Sequence, residues 1–102
     1  KFKQGMGTRW RYTVVIMMTE FGRTVAGNGT GGTDHGTAGV AFVVGGAVNG
    51  GRVVGAWPGL APNRLFENRD LFPANNMHSL LMGVLRNHFN IPAADLREQV
   101  FA

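Results

Sequence analysis

Thirteen of the sixteen glycines in the chain fall between Gly22 and Gly59, and glycine makes up only about 7% of an average protein. A stretch so poor in Cβ atoms has little side-chain bulk of its own to bury. It folds as turns, loops and closely approaching backbones, and the apolar mass must come from the runs set into it and around it. Two such runs stand out. Residues Thr13 to Thr19 read Thr-Val-Val-Ile-Met-Met-Thr, and Val40-Ala41-Phe42-Val43-Val44 is bounded by Gly39 and Gly45. Apolar, β-branched and without alternation, both fit strands buried on two faces, as in a parallel α/β sheet. They are expected to be neighbours in one sheet.

Between them, Val25 to Gly39 is nearly all Gly, Asn, Thr and Ala apart from Asp34 and His35. Loops of this length in compact domains are usually functional or disordered. Asn49-Gly50, set among the short apolar pieces of Ala47 to Trp57, is a hairpin signal, because both central residues of a type I′ turn need positive φ. Pro58 to Phe72 reads as irregular connection, with Trp57-Pro58 a core plug beside a turn. Met77, Leu80, Leu81, Val84, Leu85 and His88 then form an amphipathic helical stripe. It predicts a helix from Asn76 to about Asn90, capped by Asn75 or Asn76, ended before Ile91-Pro92 and packed on a face of the sheet. Asp95 to Val100 is expected to add one more helical turn. With 102 residues, one domain accommodates all of this.

Composition removes several function classes. Apolar residues are 44% and charged residues 16%, so the chain is not a disordered polyelectrolyte. It has no cysteine, hence no disulfide framework, thiolate metal site or cysteine nucleophile. The net charge of +4 invites a nucleic-acid reading, but only Lys1, Lys3, Arg9 and Arg11 cluster while the other arginines are scattered singly, which argues against it. No apolar run approaches the ~18 residues that span a bilayer, and no basic-then-apolar leader opens the sequence, so a soluble chain without membrane contact is expected. Gly-x-Ser-x-Gly elbow, P-loop and paired-carboxylate spacing are all missing.

Two features carry candidate chemistry. In Gly31-Gly32-Thr33-Asp34-His35-Gly36 a carboxylate and an imidazole sit together in a loop stripped of bulk, and both are ligands suited to Zn²⁺ or Mn²⁺. The competing reading is a solvated loop or Asx-turn. In Thr19-Glu20-Phe21-Gly22-Arg23, charged residues leave the carboxyl end of the first strand, where open α/β sheets bind ligands. Either Glu20 and Arg23 pair with each other, or the planar Arg23 guanidinium meets the oxygens of a phosphate or sulfate. His78 and His88 lie on the predicted helix and read as packing or surface residues.

Val14 to Thr24, then Gly32-Thr33-Asp34-His35-Gly36, then Val43-Val44-Gly45-Gly46-Ala47-Val48-Asn49-Gly50-Gly51, and later Trp57-Pro58-Gly59, occur in an order that resembles one family. It is the sulfatase-like bacterial domain-of-unknown-function family fifteen-oh-one of the alkaline phosphatase superfamily, and the likeness runs from about Thr13 to Phe101. The resemblance implies an α/β fold in which this chain is the C-terminal portion of an alkaline-phosphatase-like sheet flanked by helices. It makes residues 1–102 a single partial domain whose other strands, nucleophile and N-terminal metal carboxylate belong to a longer polypeptide. It further implies a metal-dependent sulfatase- or phosphatase-like ester hydrolase, with Asp34, His35 and Glu20 as ligands of a divalent metal (Zn, Mn, Ca or Mg) and Arg23 on an anionic ester substrate. Phe21, standing where the superfamily has a ligand, points to one metal or none. The alternative is a non-catalytic binding or assembly module that keeps the fold. Expected partners are the rest of the parent polypeptide or a second copy, since few strands leave sheet edges and faces open; relatives are commonly exported or periplasmic.

Overall fold

The computed structural model describes Lys1 to Val100. A short helix, α1 (Phe2–Met6), runs into a 3₁₀ segment, Gly7–Tyr12. Four strands follow: β1 (Val14–Met17), β2 (Gly22–Arg23), β3 (His35–Gly36) and β4 (Phe42–Gly45). After a 3₁₀ turn at Pro62–Arg64 come the long helix α2 (Met77–Phe89) and the short α3 (Ala93–Asp95), which widens into a π turn over Leu96–Val100. The two apolar runs are indeed paired: β1 lies beside β4, with Val15 opposite Val44 and Met17 opposite Phe42. Helix and strand are mixed, as an α/β reading requires.

The pairing departs from expectation in direction and in burial. β1 and β4 are antiparallel and form a two-stranded ribbon, while β2 and β3 form a second one. No covered parallel sheet is built from these residues, and Met17, Phe42 and Val44 remain exposed. α2 shares few contacts with the strands; its tie to the ribbon's approach is the His88 Nε2 contact with the Tyr12 carbonyl at 2.9 Å. Leu96 is the one fully buried apolar side chain among the described residues. The Asn49-Gly50 hairpin does not form either. Gly50 N–H turns back to the Val48 carbonyl at 2.9 Å, Val53 and Val54 are exposed, and no strand follows among the described residues. Trp57 is likewise exposed and plugs no core.

Surface and size express the same openness. The accessible surface is 7922 Å², against about 5,600 Å² for a folded monomer of this mass. The radius of gyration is 17.0 Å, against about 13 Å for a compact domain of 100 residues.

α2 is specified locally. Asn76 takes an extended conformation and its Oδ1 accepts from His78 N–H at 2.8 Å and Ser79 N–H at 3.4 Å, satisfying two donors that have no partner within the helix. Asn90 closes the other end in the left-handed region with φ 55°, a conformation Asn tolerates better than most residues. Asn75, the other candidate cap, does something else: its amide accepts from Ala56 N–H at 2.8 Å and donates to the Ala56 carbonyl at 3.0 Å, fastening the loop before α2. Asn76→Ala should therefore weaken the helix start by about 1 kcal/mol. Hydrogen exchange should show the His78 and Ser79 amides accelerated roughly fivefold, with Asn76→Asp close to the parent.

Candidate functional site

The glycine-rich loop folds back as a ribbon because β2 and β3 approach with no side chains between them at one position. Gly22 faces Gly36 in the register. A Cβ on Gly22 would run into the Ala38 backbone, and one on Gly36 would lie 2.6 Å from the Arg23 carbonyl carbon, closer than any packed contact. Arg23 and His35 are the next cross-strand pair. Directly opposite residues put their side chains on the same face of a ribbon, and successive residues alternate between faces.

That alternation sorts the predicted site residues. On one face the Arg23 guanidinium is held by Thr33, with Nε donating to Oγ1 at 3.1 Å and an Nη to the carbonyl at 2.6 Å. Beside it the His35 ring stacks flat on Phe21, centroids 5.0 Å apart and planes inclined by 5°. Asp34 goes the other way. Its backbone pairs with Thr24, and its Oδ1 accepts from Asn28 Nδ2 at 2.9 Å. Asp34 and His35, adjacent in sequence and expected to converge, are thus committed to different partners on different faces. Glu20 is exposed in the bend between β1 and β2 and does not pair with Arg23. Among the described residues the one ion pair joins Arg69 to Asp70 at 2.9 Å, and no three His, Asp or Glu side chains gather closely enough to hold a metal ion.

The loop is ordered by Asn28. Its Oδ1 accepts from Thr30 N–H at 3.0 Å, the Thr30 hydroxyl at 2.9 Å and Gly32 N–H at 2.9 Å, while its Nδ2 reaches Asp34. This is the Asx-type order that was the competing reading of the loop, centred one turn earlier than the Asp-His pair. The ribbon is in turn anchored at its base. Thr24, nearly buried, bridges to the fully buried Asp70, and Val25 N–H donates to the Arg69 carbonyl at 2.9 Å. The Arg69 side chain closes on the Asp70 carboxylate, whose hydrogen bond and charge raise the guanidinium above its usual range.

Sequence reasoning found Arg23 and His35 but not Thr33, Phe21 or Asn28, which place them. Thr33 and Phe21 stand two residues from His35 and Arg23, the strand period. That signal becomes usable once the segment is known to be extended. Asn28, followed by Gly29-Thr30, is an Asx-turn signature that two metal-competent neighbours overshadowed.

The exposed face therefore presents a cation oriented by two uncharged acceptors, with an imidazole and an aromatic ring alongside, and the described residues include no helix long and apolar enough to cross a membrane. This is a small mixed α/β chain organised around a structured glycine loop. The chain belongs to the family described as protein of unknown function (DUF1501), whose profile matches residues 1–100. No curated protein and no solved structure matches it.

The Asn28 network makes two variants informative. Asn28→Ala should release Thr30 and Gly32, raising their amide exchange rates by about tenfold, the equivalent of roughly 1.4 kcal/mol of lost hydrogen bonding. Asn28→Asp keeps the acceptor but sets a carboxylate against Asp34; Thr30 and Gly32 should stay protected while the Asp34 amide loses protection. Equal protection in all three proteins would refute the network.

Proposed function

We propose that the chain is the C-terminal portion of a sulfatase- or phosphatase-like ester hydrolase of the alkaline phosphatase superfamily, and that its own part is to hold the anionic end of the ester. The observation that carries this is Arg23. It is fixed in place by the Thr33 hydroxyl and carbonyl, yet no carboxylate among the described residues neutralises it. Such a guanidinium keeps its full charge and loses little side-chain entropy when an oxyanion arrives. His35, its cross-strand partner, supplies a further donor or acceptor to the same face.

A divalent metal, whether Zn, Mn, Ca or Mg, would need most of its ligands from elsewhere in the longer polypeptide. His35, Asp34 and Glu20 are all exposed; Asp34 already accepts from Asn28, which leaves His35 the readier ligand and Glu20 a weaker one. The splitting of Asp34 and His35 between two faces favours the second reading, a binding module that keeps the fold without turnover. The hydrolase reading requires the anion site, and so does a module that binds anions; an assembly module does not.

Calorimetric titration of inorganic sulfate and of phosphate into the longer parent protein tests it. Arg23→Ala should weaken binding at least tenfold, and Arg23→Lys should recover only part, because an ammonium cannot be held by Thr33 in the same forked geometry. Unchanged affinity in Arg23→Ala would defeat the assignment of Arg23 to the anion, and with it the hydrolase reading. Binding that survives with no ester hydrolysis in the parent would leave the module.

A further inference from the structure

Asn49-Gly50 forms no hairpin, and the turn that holds it acts on the pair in another way. Arg52 folds back so that its Nε donates to the Asn49 carbonyl at 2.9 Å. That oxygen belongs to the peptide unit whose nitrogen is Gly50 N. A cation on a peptide oxygen draws charge from the linked nitrogen and stabilises the amidate left when its N–H ionises, because a hydrogen bond to the charged form favours that form. Gly50 N–H is thereby made more acidic, and the ionised nitrogen is a nucleophile.

An electrophile stands next to it. The Asn49 side chain is exposed and its carboxamide has no hydrogen-bond partner among the described residues, so Cγ is free to swing toward Gly50 N. Glycine leaves the approach open: even an added Cβ at Gly50 would meet nothing nearer than the Val48 carbonyl oxygen at 4.0 Å. One bond must be given up, from Gly50 N–H to the Val48 carbonyl, and it lies in an exposed turn. Asn28-Gly29 is the other Asn-Gly step in the chain and is held in the opposite way. Its Oδ1 takes three hydrogen bonds and its Nδ2 donates to Asp34, so turning that carboxamide toward Gly29 would break the whole network.

We propose that Asn49 is a self-modification site, where spontaneous deamidation is promoted by Arg52. Hydroxide takes the Gly50 N–H proton and the nitrogen attacks Asn49 Cγ. The new N–Cγ bond forms, the Cγ–Nδ2 bond breaks, and ammonia leaves with a proton from water, giving a succinimide. Water then opens either imide C–N bond to aspartate or isoaspartate, with no change of oxidation state. Each conversion sets a carboxylate in the turn that Arg52 closes and lowers the net charge of +4 by one. The site is independent of Arg23 and the proposed anion. Peptide mapping by mass spectrometry of the folded chain, kept at mildly alkaline pH, should find Asn49 converted at least tenfold faster than Asn28, with both products present. In urea, where the Asn28 network and the Arg52 contact are both lost, the two steps should react alike. Arg52→Ala should slow Asn49 about fivefold without altering Asn28, and Arg52→Gln, which keeps a donor but not the charge, should be slowed as well. Arg52 is exposed, so circular dichroism of these variants should match the unaltered chain. Equal rates at Asn28 and Asn49 in the folded chain, or an Asn49 rate untouched by Arg52→Ala, would overturn the proposal.

Discussion

Everything near the glycine loop hangs from the junction of Thr24 with Asp70. Thr24 accepts from Asp34 N–H, donates to Ala26 and bridges to Asp70, so one nearly buried threonine joins β2, the returning arm of the loop and the segment before α2. Asp70 is wholly buried and would be costly there without a partner. It has one in the adjacent Arg69, whose side chain stays largely in water. This is a cheap way to seat a carboxylate, because the partner is always next to it and no long loop must close to bring it there.

The parts of this architecture legible in the sequence are those set by local rules. The stripe from Met77 to His88 and the cap at Asn76 fix α2 within a residue of where it lies, and the unalternating runs identify β1 and β4 as partners. Direction and burial were not legible, because both depend on what covers the ribbon. An all-apolar strand reads the same whether its neighbour is parallel or antiparallel, and the reading assumed cover on two sides. The Asn49-Gly50 signal failed for a related reason. A type I′ turn propagates a hairpin only if the flanking residues have a face to bury, and Val53 and Val54 here have none.

The site shows the same division. Residue types drew attention to Asp34 and His35, and adjacency suggested that they act together. In an extended segment adjacency has the opposite effect, since neighbours leave on opposite faces. The pairing that the fold produces, Arg23 with His35, is separated by twelve residues and depends on a register set by two glycines too close to admit a Cβ. Glycine content constrains backbone geometry throughout the loop, but only the register shows that Gly22 and Gly36 are the pair with no room for a Cβ.

One property of the loop bears on how the proposed anion would meet it. The contacts that shape the Thr30 to Thr33 crest are made by amides, hydroxyls and carbonyls, and the guanidinium of Arg23 is steered by uncharged oxygens. Ionic strength therefore acts on the two halves of the job unequally. Salt screens the attraction between a guanidinium and an approaching anion over about 8–10 Å, while the mainly uncharged hydrogen bonds beneath it feel far less of that screening. The proposed anion receptor would keep its shape across conditions that alter its grip, in the manner of a socket whose form is set by one material and whose pull is set by another.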